Sequence, residues 1–451
     1  MEHTKLAGIS KEQINMFSEN YHSKKHNLAM TNAVTRSGIQ GVAYDHGVPA
    51  RMQHTFSIEL DTMKVTNQKA SGRCWLFAGL NILREKVAKK YNLEDFELSQ
   101  NYQAFWDKFE KINYFLESII ETVEEPLDSR IVTWLLQTAV HDGGQWDMFV
   151  NLVEKYGVVP KSAMPETFHS SNTGVMNQLL VAKLREYASI LRRLHERGDT
   201  IEKLRAAKED MLREMYTFLC IFFGEPPATI TFEIRNKEKE FFRVESITPL
   251  DFYHRMIDMD LGEYISIINA PTSDKPYGRT FTVRFLGNVK EGKEVIYLNT
   301  DIDTMKRLTI AQLRDNEQVW FGCDVGKMMD RGLGILDAQL YRYDLALGIP
   351  FGLTKAERLD YRESCMTHAM VFTGVNLLED GKPNRWKVEN SWGDERGQKG
   401  YYVMSDSWFD EYMYQVVVHK KYLSDELKKA LEQKSIELPP WDPMGSLALM
   451  K

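Results

Sequence analysis

The stretch that decides how this chain is interpreted is Gln68-Lys69-Ala70-Ser71-Gly72-Arg73-Cys74-Trp75. It is followed by apolar residues that recur at helical intervals: Leu76, Phe77, Leu80, Leu83 and Val87. This spacing predicts an amphipathic helix with Cys74 in its first turn. Because a helix N-terminus carries roughly half a positive charge, we expect the pKa of Cys74 to lie below the usual cysteine value of about 8.5. Cys74 is therefore a candidate nucleophile.

Two neighbours of Cys74 fit that interpretation. Gly72 has no Cβ and allows a substrate or a backbone segment to approach closely, and Gln68 can direct a side-chain N–H to the same point. The alternative is an inert thiol, since free cysteine is among the most buried residue types. A nucleophile also needs a partner base, so the rest of the sequence must decide between the two.

Composition narrows the class of protein. The chain has 451 residues, enough for two or three domains, and a formal charge of −7 from 57 basic and 64 acidic residues. This balance gives no overall attraction to nucleic acid or to an acidic membrane. The sequence contains neither a signal-peptide pattern at its N-terminus nor a run of about 18 apolar residues, so we expect a cytoplasmic protein without a membrane span.

The cysteines point the same way. The four cysteines are far apart in the sequence and form no C-x-x-C pair: Cys74, Cys220, Cys323 and Cys365. This spacing argues against a zinc site and against a disulfide framework. Free thiols fit a reducing compartment, and no metal is expected.

Periodicity predicts a mixture of helices and strands. A capping box at residues 10–13 predicts a first helix, and Ser99 is expected to cap a long helix with an aromatic stripe through residue 119. Residues 180–194 and 201–219 predict two further helices. Strand patterns occupy residues 56–60, 229–232, 241–244, 264–268, 281–285, 295–298, 319–323, 369–375 and 400–404.

The partner base must be chosen among eleven histidines. His368 opens an apolar strand pattern that can hold its ring rigidly, and Asn390 lies 22 residues further on, where its side-chain oxygen can fix the imidazole tautomer. Trp392 can shield that hydrogen bond from water. His141 is the rival, because it lies in a polar loop beside Gly143 and Gly144, but it has no comparable orienting group.

Together these motifs resemble the papain-like cysteine peptidases, and more closely the branch of bleomycin hydrolase and bacterial aminopeptidase C. The resemblance rests on Gln68 with Cys74-Trp75, on residues 142–148, on His368, on Asn390-Ser391-Trp392-Gly393 and on the tail at 441–448. It implies an α+β fold with a two-lobed catalytic core, a helical lobe and a β-barrel-like lobe, carrying helical and hook-like insertions. Position 71, where secreted relatives have a disulfide cysteine, is Ser71, which agrees with the cytoplasmic expectation.

The resemblance also implies a domain organisation. Residues 1–164 are expected to form the N-terminal part of the core with the nucleophile helix, and 165–345 the helical and β-rich insertions used in oligomerisation. Residues 346–438 are expected to supply the C-terminal part of the core with the histidine and the asparagine, and 439–451 an arm that lies in the active-site cleft.

Residue roles carry over in the same way. By resemblance Cys74 is the nucleophile, His368 the general base and then acid, and Asn390 the orienting residue. Gln68 and the backbone N–H of Cys74 are implied to form the oxyanion hole, and Gly143 and Gly144 the edge along which the substrate backbone lies. No metal or organic cofactor is implied, only a reduced thiol.

The implied activity is that of a cytoplasmic aminopeptidase that removes N-terminal residues from peptides with a free N-terminus, with bleomycin-like amides as a further implied class of substrate. In the family the C-terminal arm gates the cleft and the chains form a homohexamer. If the arm does not reach the cleft, the same triad would serve an endopeptidase or an acyl transferase. A nucleic-acid-binding oligomeric scaffold is a third hypothesis, which the charge of −7 disfavours.

The end of the chain departs from the family pattern. Leu449-Met450-Lys451 extend beyond the usual ending at Ala448. One hypothesis is that the intact tail partly blocks the cleft and that Cys74 trims it. The other is that the extra residues fold aside.

Overall fold

The computed structural model describes residues 8–449. The α-helices are α1 (Lys11–Ser23), α2 (Lys25–Ser37), α3 (Ile39–Ala43), α4 (Gly47–Arg51), α5 (Cys74–Tyr91), α6 (Gln100–Glu121), α7 (Arg130–Gln137), α8 (Trp146–Tyr156), α9 (Phe168–Ser171), α10 (Gly174–Glu196), α11 (Ile201–Phe223), α12 (Pro249–Phe252), α13 (Ile302–Arg314), α14 (Tyr343–Leu347), α15 (Lys355–Asp360), α16 (Asp406–Tyr412) and α17 (Asp425–Leu431). The strands are β1 (Ile58–Glu59), β2 (Ile230–Arg235), β3 (Phe241–Ile247), β4 (Tyr264–Ile268), β5 (Arg279–Val283), β6 (Tyr297–Asn299), β7 (Val319–Cys323), β8 (Met329–Asp330), β9 (Ile335–Leu336), β10 (His368–Leu377), β11 (Pro383–Glu389), β12 (Tyr401–Ser405), β13 (Met413–His419) and β14 (Ile436–Leu438). Tighter or wider helical turns cover Tyr253–Ile257, Leu261–Glu263, Lys420–Tyr422 and Pro443–Leu449.

Two helices begin where the sequence supplies a cap. Ser10 and Gln13 form the predicted capping box of α1, and the Ser99 hydroxyl accepts a backbone N–H at the start of α6. Each cap satisfies an N–H group that has no partner inside its own helix. Both predictions are confirmed.

Most strands join a single mixed sheet. Its order is β14-β5-β6-β4-β13-β7-β10-β11-β12-β9-β8, with β1 paired to β10. The central strand β10 runs antiparallel to β7 and β11, and its apolar residues from Ala369 to Val375 are buried. Burial on both faces explains why the sequence of this strand is a continuous apolar run.

Strands β4–β7 share this sheet with β10–β13, so the strands on both sides of the predicted boundary at residue 346 are hydrogen-bonded together. The predicted division into domains stays a prediction.

Helix α5, which begins at Cys74, packs between the sheet and the other helices. Helix α5 contacts β10 on one side and α6 and α8 on others. Trp75, Trp146 and Trp320 are fully buried at this junction, and the Trp320 indole N–H donates to the Trp75 carbonyl at 3.2 Å. Because three large aromatic side chains are buried at the same junction, the start of α5 is held rigidly against the sheet.

Several elements differ from the sequence-based expectation. Helix α5 is predicted to be amphipathic, but every residue from Cys74 to Arg84 is buried, because this part of the helix is surrounded. The segment Lys25–Ser37, which periodicity leaves unassigned, is helix α2; it has no buried residue and therefore no apolar stripe to detect. The predicted strand at 56–60 is reduced to the two residues of β1.

The insertions have two parts. Helices α10 and α11 pack on α6, and the separate hairpin β2–β3 forms a small sheet of its own. Helices and a hairpin thus occur in the range predicted for the insertions, and their assignment as insertions stays a prediction. Between residues 8 and 449, none of the helices is both long and apolar enough to cross a membrane.

Candidate active site

Cys74 is the first residue of α5 and is only 2% exposed. Burial raises the pKa of its thiol to about 11, although backbone N–H groups of Ala369, Trp75 and Cys74 itself lower it. The nearby carboxylate of Asp142 acts in the same direction as burial. The expectation of a lowered pKa for Cys74 is therefore wrong in this structure, because desolvation penalises the thiolate more than the helix N-terminus favours it.

His368 lies at the start of β10, and its Nε2 atom is 2.9 Å from the Asn390 side-chain oxygen. Asn390 directly follows β11, which is paired with β10, so the sheet itself brings the two side chains together. The Trp392 ring lies 4.8 Å from the imidazole and covers it. Burial lowers the pKa of His368 to about 4, against an opposing effect of the Asn390 bond. Strand β10, which begins at His368, packs against α5, which begins at Cys74.

Gln68 is fixed between the turn that precedes Cys74 and the segment at Asn390 and Ser391. Its backbone N–H donates to the Ser391 carbonyl at 2.9 Å, and its side-chain Nε2 donates to the Ser71 carbonyl at 2.6 Å. A glutamine amide has two N–H donors, so one remains for a ligand. Gln68 is thus held where the sequence predicts it, beside the turn that begins α5.

The two glycines are required by close contacts rather than by unusual backbone angles. A Cβ on Gly143 would lie 2.0 Å from the carbonyl oxygen of Leu447, and one on Gly144 would lie 2.5 Å from the Trp75 ring. Gly143 therefore lets a backbone segment run directly along the loop. In this structure that segment is the C-terminal arm, Pro443–Leu449.

The arm is anchored along its length. The Ser446 hydroxyl donates to the Met366 carbonyl at 2.8 Å, and the Tyr297 hydroxyl donates to the Met444 carbonyl at 3.0 Å. Just before the arm, Asp442 forms an ion pair with Lys275 at 2.9 Å. The arm therefore runs between the Gly143 loop and Met366, two residues before His368. Met450 and Lys451, which the trimming hypothesis concerns, lie outside the described residues.

The remaining candidate is His141, whose backbone carbonyl accepts a hydrogen bond from Lys111 at 3.1 Å. Sequence reasoning gave no role to its neighbour Asp142, whose carboxylate is fully buried and pairs with Lys108 at 2.7 Å. The only sign of Asp142 in the sequence was its position directly before two glycines, because its partner Lys108 lies more than thirty residues earlier. Among residues 8–449, no three His, Cys, Asp or Glu side chains are grouped as metal ligands.

Comparison with known proteins identifies the family. The model of the Peptidase C1-like family matches residues 8–445. The chain belongs to the Peptidase C1-like family. Aminopeptidase C of Listeria monocytogenes is 52% identical over 97% of this chain and 98% of its own length. Human bleomycin hydrolase is 41% identical over 98% of this chain and 99% of its own.

A solved structure agrees at the level of the whole fold. The crystal structure of PepW from Lactobacillus rhamnosis HN001 superposes with a TM-score of 0.96 at 50% identity, covering 97% of this chain and 99% of that one. The α+β papain-like fold class and the expected enzyme class, a cysteine-type aminopeptidase related to bleomycin hydrolase, are confirmed.

Proposed function

We propose that this Peptidase C1-like enzyme releases N-terminal residues from peptides through Cys74, His368 and Asn390. The observation that carries the proposal is the 2.9 Å contact between His368 and Asn390, made at the start of the strand that packs against α5, the helix that begins at Cys74. With Nε2 committed to the asparagine, Nδ1 is the nitrogen left to exchange a proton with the thiol. This is the division of roles that an activated nucleophile requires.

The reaction proceeds through an acyl-enzyme. The Cys74 sulfur, after giving its proton to His368, attacks the carbonyl carbon of the first peptide bond. The negative charge that develops on the carbonyl oxygen is stabilised by the Gln68 amide and the Cys74 backbone N–H. The imidazolium then protonates the leaving amine, and water activated by the same imidazole hydrolyses the thioester. All atoms needed for these steps come from the chain, the peptide and water.

The arm supplies the selectivity for free N-termini. The carbonyl of Leu447 occupies the edge at Gly143 along which a longer substrate backbone would lie, so there is no room at that edge for residues preceding the one that is released. A carboxylate at the end of the arm would pair with the α-ammonium of a short substrate, an interaction of roughly 1.5–3 kcal/mol. Peptides with blocked N-termini would lose that interaction. Bleomycin-like amides with a free amine fit the same requirement.

Self-association of the chain, which the resemblance describes as a homohexamer, has support in exposed apolar side chains. On α1, which has no buried residue, Ile14 and Phe17 are more than half exposed. A second exposed group, Phe351 with Tyr361, lies in the segment between α14 and β10. Apolar groups of this kind are typical of surfaces buried between subunits. The four cysteines are free thiols, which supports a reducing, cytoplasmic location.

One experiment tests the activity. A fluorogenic dipeptide is offered with a free and with an acetylated N-terminus, under reducing conditions, to the wild type and to Cys74→Ala. Cleavage of the free form alone, absent in the variant, is expected. Equal cleavage of both forms would contradict the role of the arm, and cleavage by Cys74→Ala would contradict the nucleophile. Light scattering on the same sample gives the subunit number.

A further inference from the structure

The beginning of the helical insertion touches the turn that presents the nucleophile. We call residues 166–177 the brace segment. The Glu166 carboxylate accepts two N–H groups of Arg73, at 3.0 and 2.7 Å. Alongside, the Ala70 N–H donates to the Ser171 carbonyl at 3.0 Å. The insertion therefore holds the residues directly before Cys74 by a two-pronged ion pair and by backbone pairing.

The brace segment also reaches the opposite side of the cleft through one carboxylate. Asp142 accepts hydrogen bonds from the Thr173 hydroxyl at 2.5 Å and the Asn177 side-chain amide at 2.8 Å, both on the brace segment. The Gly72 backbone N–H donates to the same carboxylate at 2.9 Å. The Lys108 ammonium, from α6, lies 2.7 Å away, and neither charged side chain of this pair is more than 3% exposed. A buried carboxylate with this many donors has little freedom to move.

We propose that Asp142 is a positioning residue through which the brace segment sets the spacing between the substrate edge at Gly143 and the turn that presents Cys74. Asp142 directly precedes Gly143, and its backbone carbonyl accepts the Trp75 indole N–H at 2.7 Å. One residue thus fixes the edge loop, the nucleophile turn and the insertion relative to one another. The inference rests on the proposed aminopeptidase reaction and gives the insertion a part in the cleft in addition to its expected part in assembly.

The charge of Asp142 has a second effect on the site. Burial alone would raise the pKa of this carboxyl, but the Lys108 ammonium and the donated hydrogen bonds hold it well below its usual range, so it stays ionised. The negative charge of the Asp142 carboxylate opposes formation of the Cys74 thiolate. The other charged groups near this carboxylate are Asp107 and Lys111, which pair with each other at 2.7 Å. Lys108 is consequently the cation that offsets Asp142.

A double variant tests positioning without changing any charge. Thr173→Val with Asn177→Leu removes two donors from Asp142. Because the Gly143 edge seats the arm, whose end would hold the substrate α-ammonium equally before and during the reaction, we expect KM to rise about tenfold while kcat changes less than threefold. The matched control is Lys208→Met, which breaks the 2.6 Å pair with Glu117 between α6 and the second insertion helix. The control should lose a similar amount of thermal stability and keep KM.

A charge test gives a readout that does not require peptidase activity. The pH at which alkylation of Cys74 by iodoacetamide is half-maximal is measured on the Cys74 peptide by mass spectrometry. Asp142→Asn should move it down, and Lys108→Met should move it up, whereas Lys108→Arg should leave it unchanged. Shifts of opposite sign are not expected from a general loosening of the fold.

The outcomes are distinct. An unchanged KM in the double variant, or an equal rise in Lys208→Met, would overturn the positioning role. Alkylation shifts of the same sign in Asp142→Asn and Lys108→Met would overturn the electrostatic part. If the wild type had no aminopeptidase activity but the opposite shifts appeared, the proposed function would fail while the link between Asp142 and Cys74 stood.

Discussion

Removing the C-terminal arm should make the thiol of Cys74 more reactive. Ending the chain after Asp442 deletes the segment that fills the cleft and keeps the ion pair with Lys275. The pKa of Cys74, which burial raises to about 11, should then fall towards the ordinary value of about 8.5. At pH 8 the thiolate fraction would rise from about 0.001 to about 0.2, roughly 200-fold. Since a less basic thiolate is a weaker nucleophile by about tenfold over this range, the net gain is about twentyfold before any gain in access.

The assay is the second-order rate of iodoacetamide alkylation at Cys74, followed on intact chains at pH 8. A chain ending after Leu449 serves as the matched control, because it keeps every described contact of the arm, and it should react like the wild type. The longer truncation should also cleave an acetylated dipeptide that the wild type leaves intact. Alkylation of the longer truncation within about twofold of the wild-type rate would refute the reasoning that the arm is what buries the thiol.

Three further predictions concern the same cleft. Asn390→Ala removes the acceptor that orients His368, so kcat for a free dipeptide should fall by about 10²-fold or more; an unchanged kcat would contradict the orienting role. Gly143→Ala places a Cβ 2.0 Å from the Leu447 carbonyl, so it should displace the arm and raise KM, whereas Gly144→Ala should chiefly lower the melting temperature through its clash with the Trp75 ring. Because the pKa of His368 is lowered to about 4 in the fold, its contribution to stability is complete above about pH 6.5 and is lost as the pH falls towards 4, by roughly 3 kcal/mol. His368→Gln should flatten this part of the pH dependence in urea unfolding, and an unchanged slope would show that the histidine is not buried neutral.

The trimming hypothesis for the tail has its own measurement. Intact masses of purified wild type and Cys74→Ala should differ if Cys74 removes terminal residues. Identical full-length masses would favour the alternative, in which the extra residues fold aside.

Much of the candidate site was predictable because its residues lie in local sequence patterns. Helical spacing after Cys74 places the cysteine at a helix start, and an apolar run after His368 gives the strand that holds the imidazole. Asn390 stands out by its spacing from that histidine and by the tryptophan that follows. These features depend on residues that are close in the sequence, and the periodicity of apolar residues predicts such local structure well.

Other properties depend on contacts between distant segments. The sequence predicts a lowered pKa for Cys74 from its position on a helix, but the sign of the shift is set by burial under residues far away in the chain. The buried pair of Asp142 and Lys108, and the donors supplied by the brace segment, likewise join residues more than thirty positions apart. The sequence by itself thus determined the fold class and predicted the side chains that we propose carry the chemistry. Only the tertiary structure decided their solvation, charge state and spacing, because these depend on which surfaces meet when the chain folds.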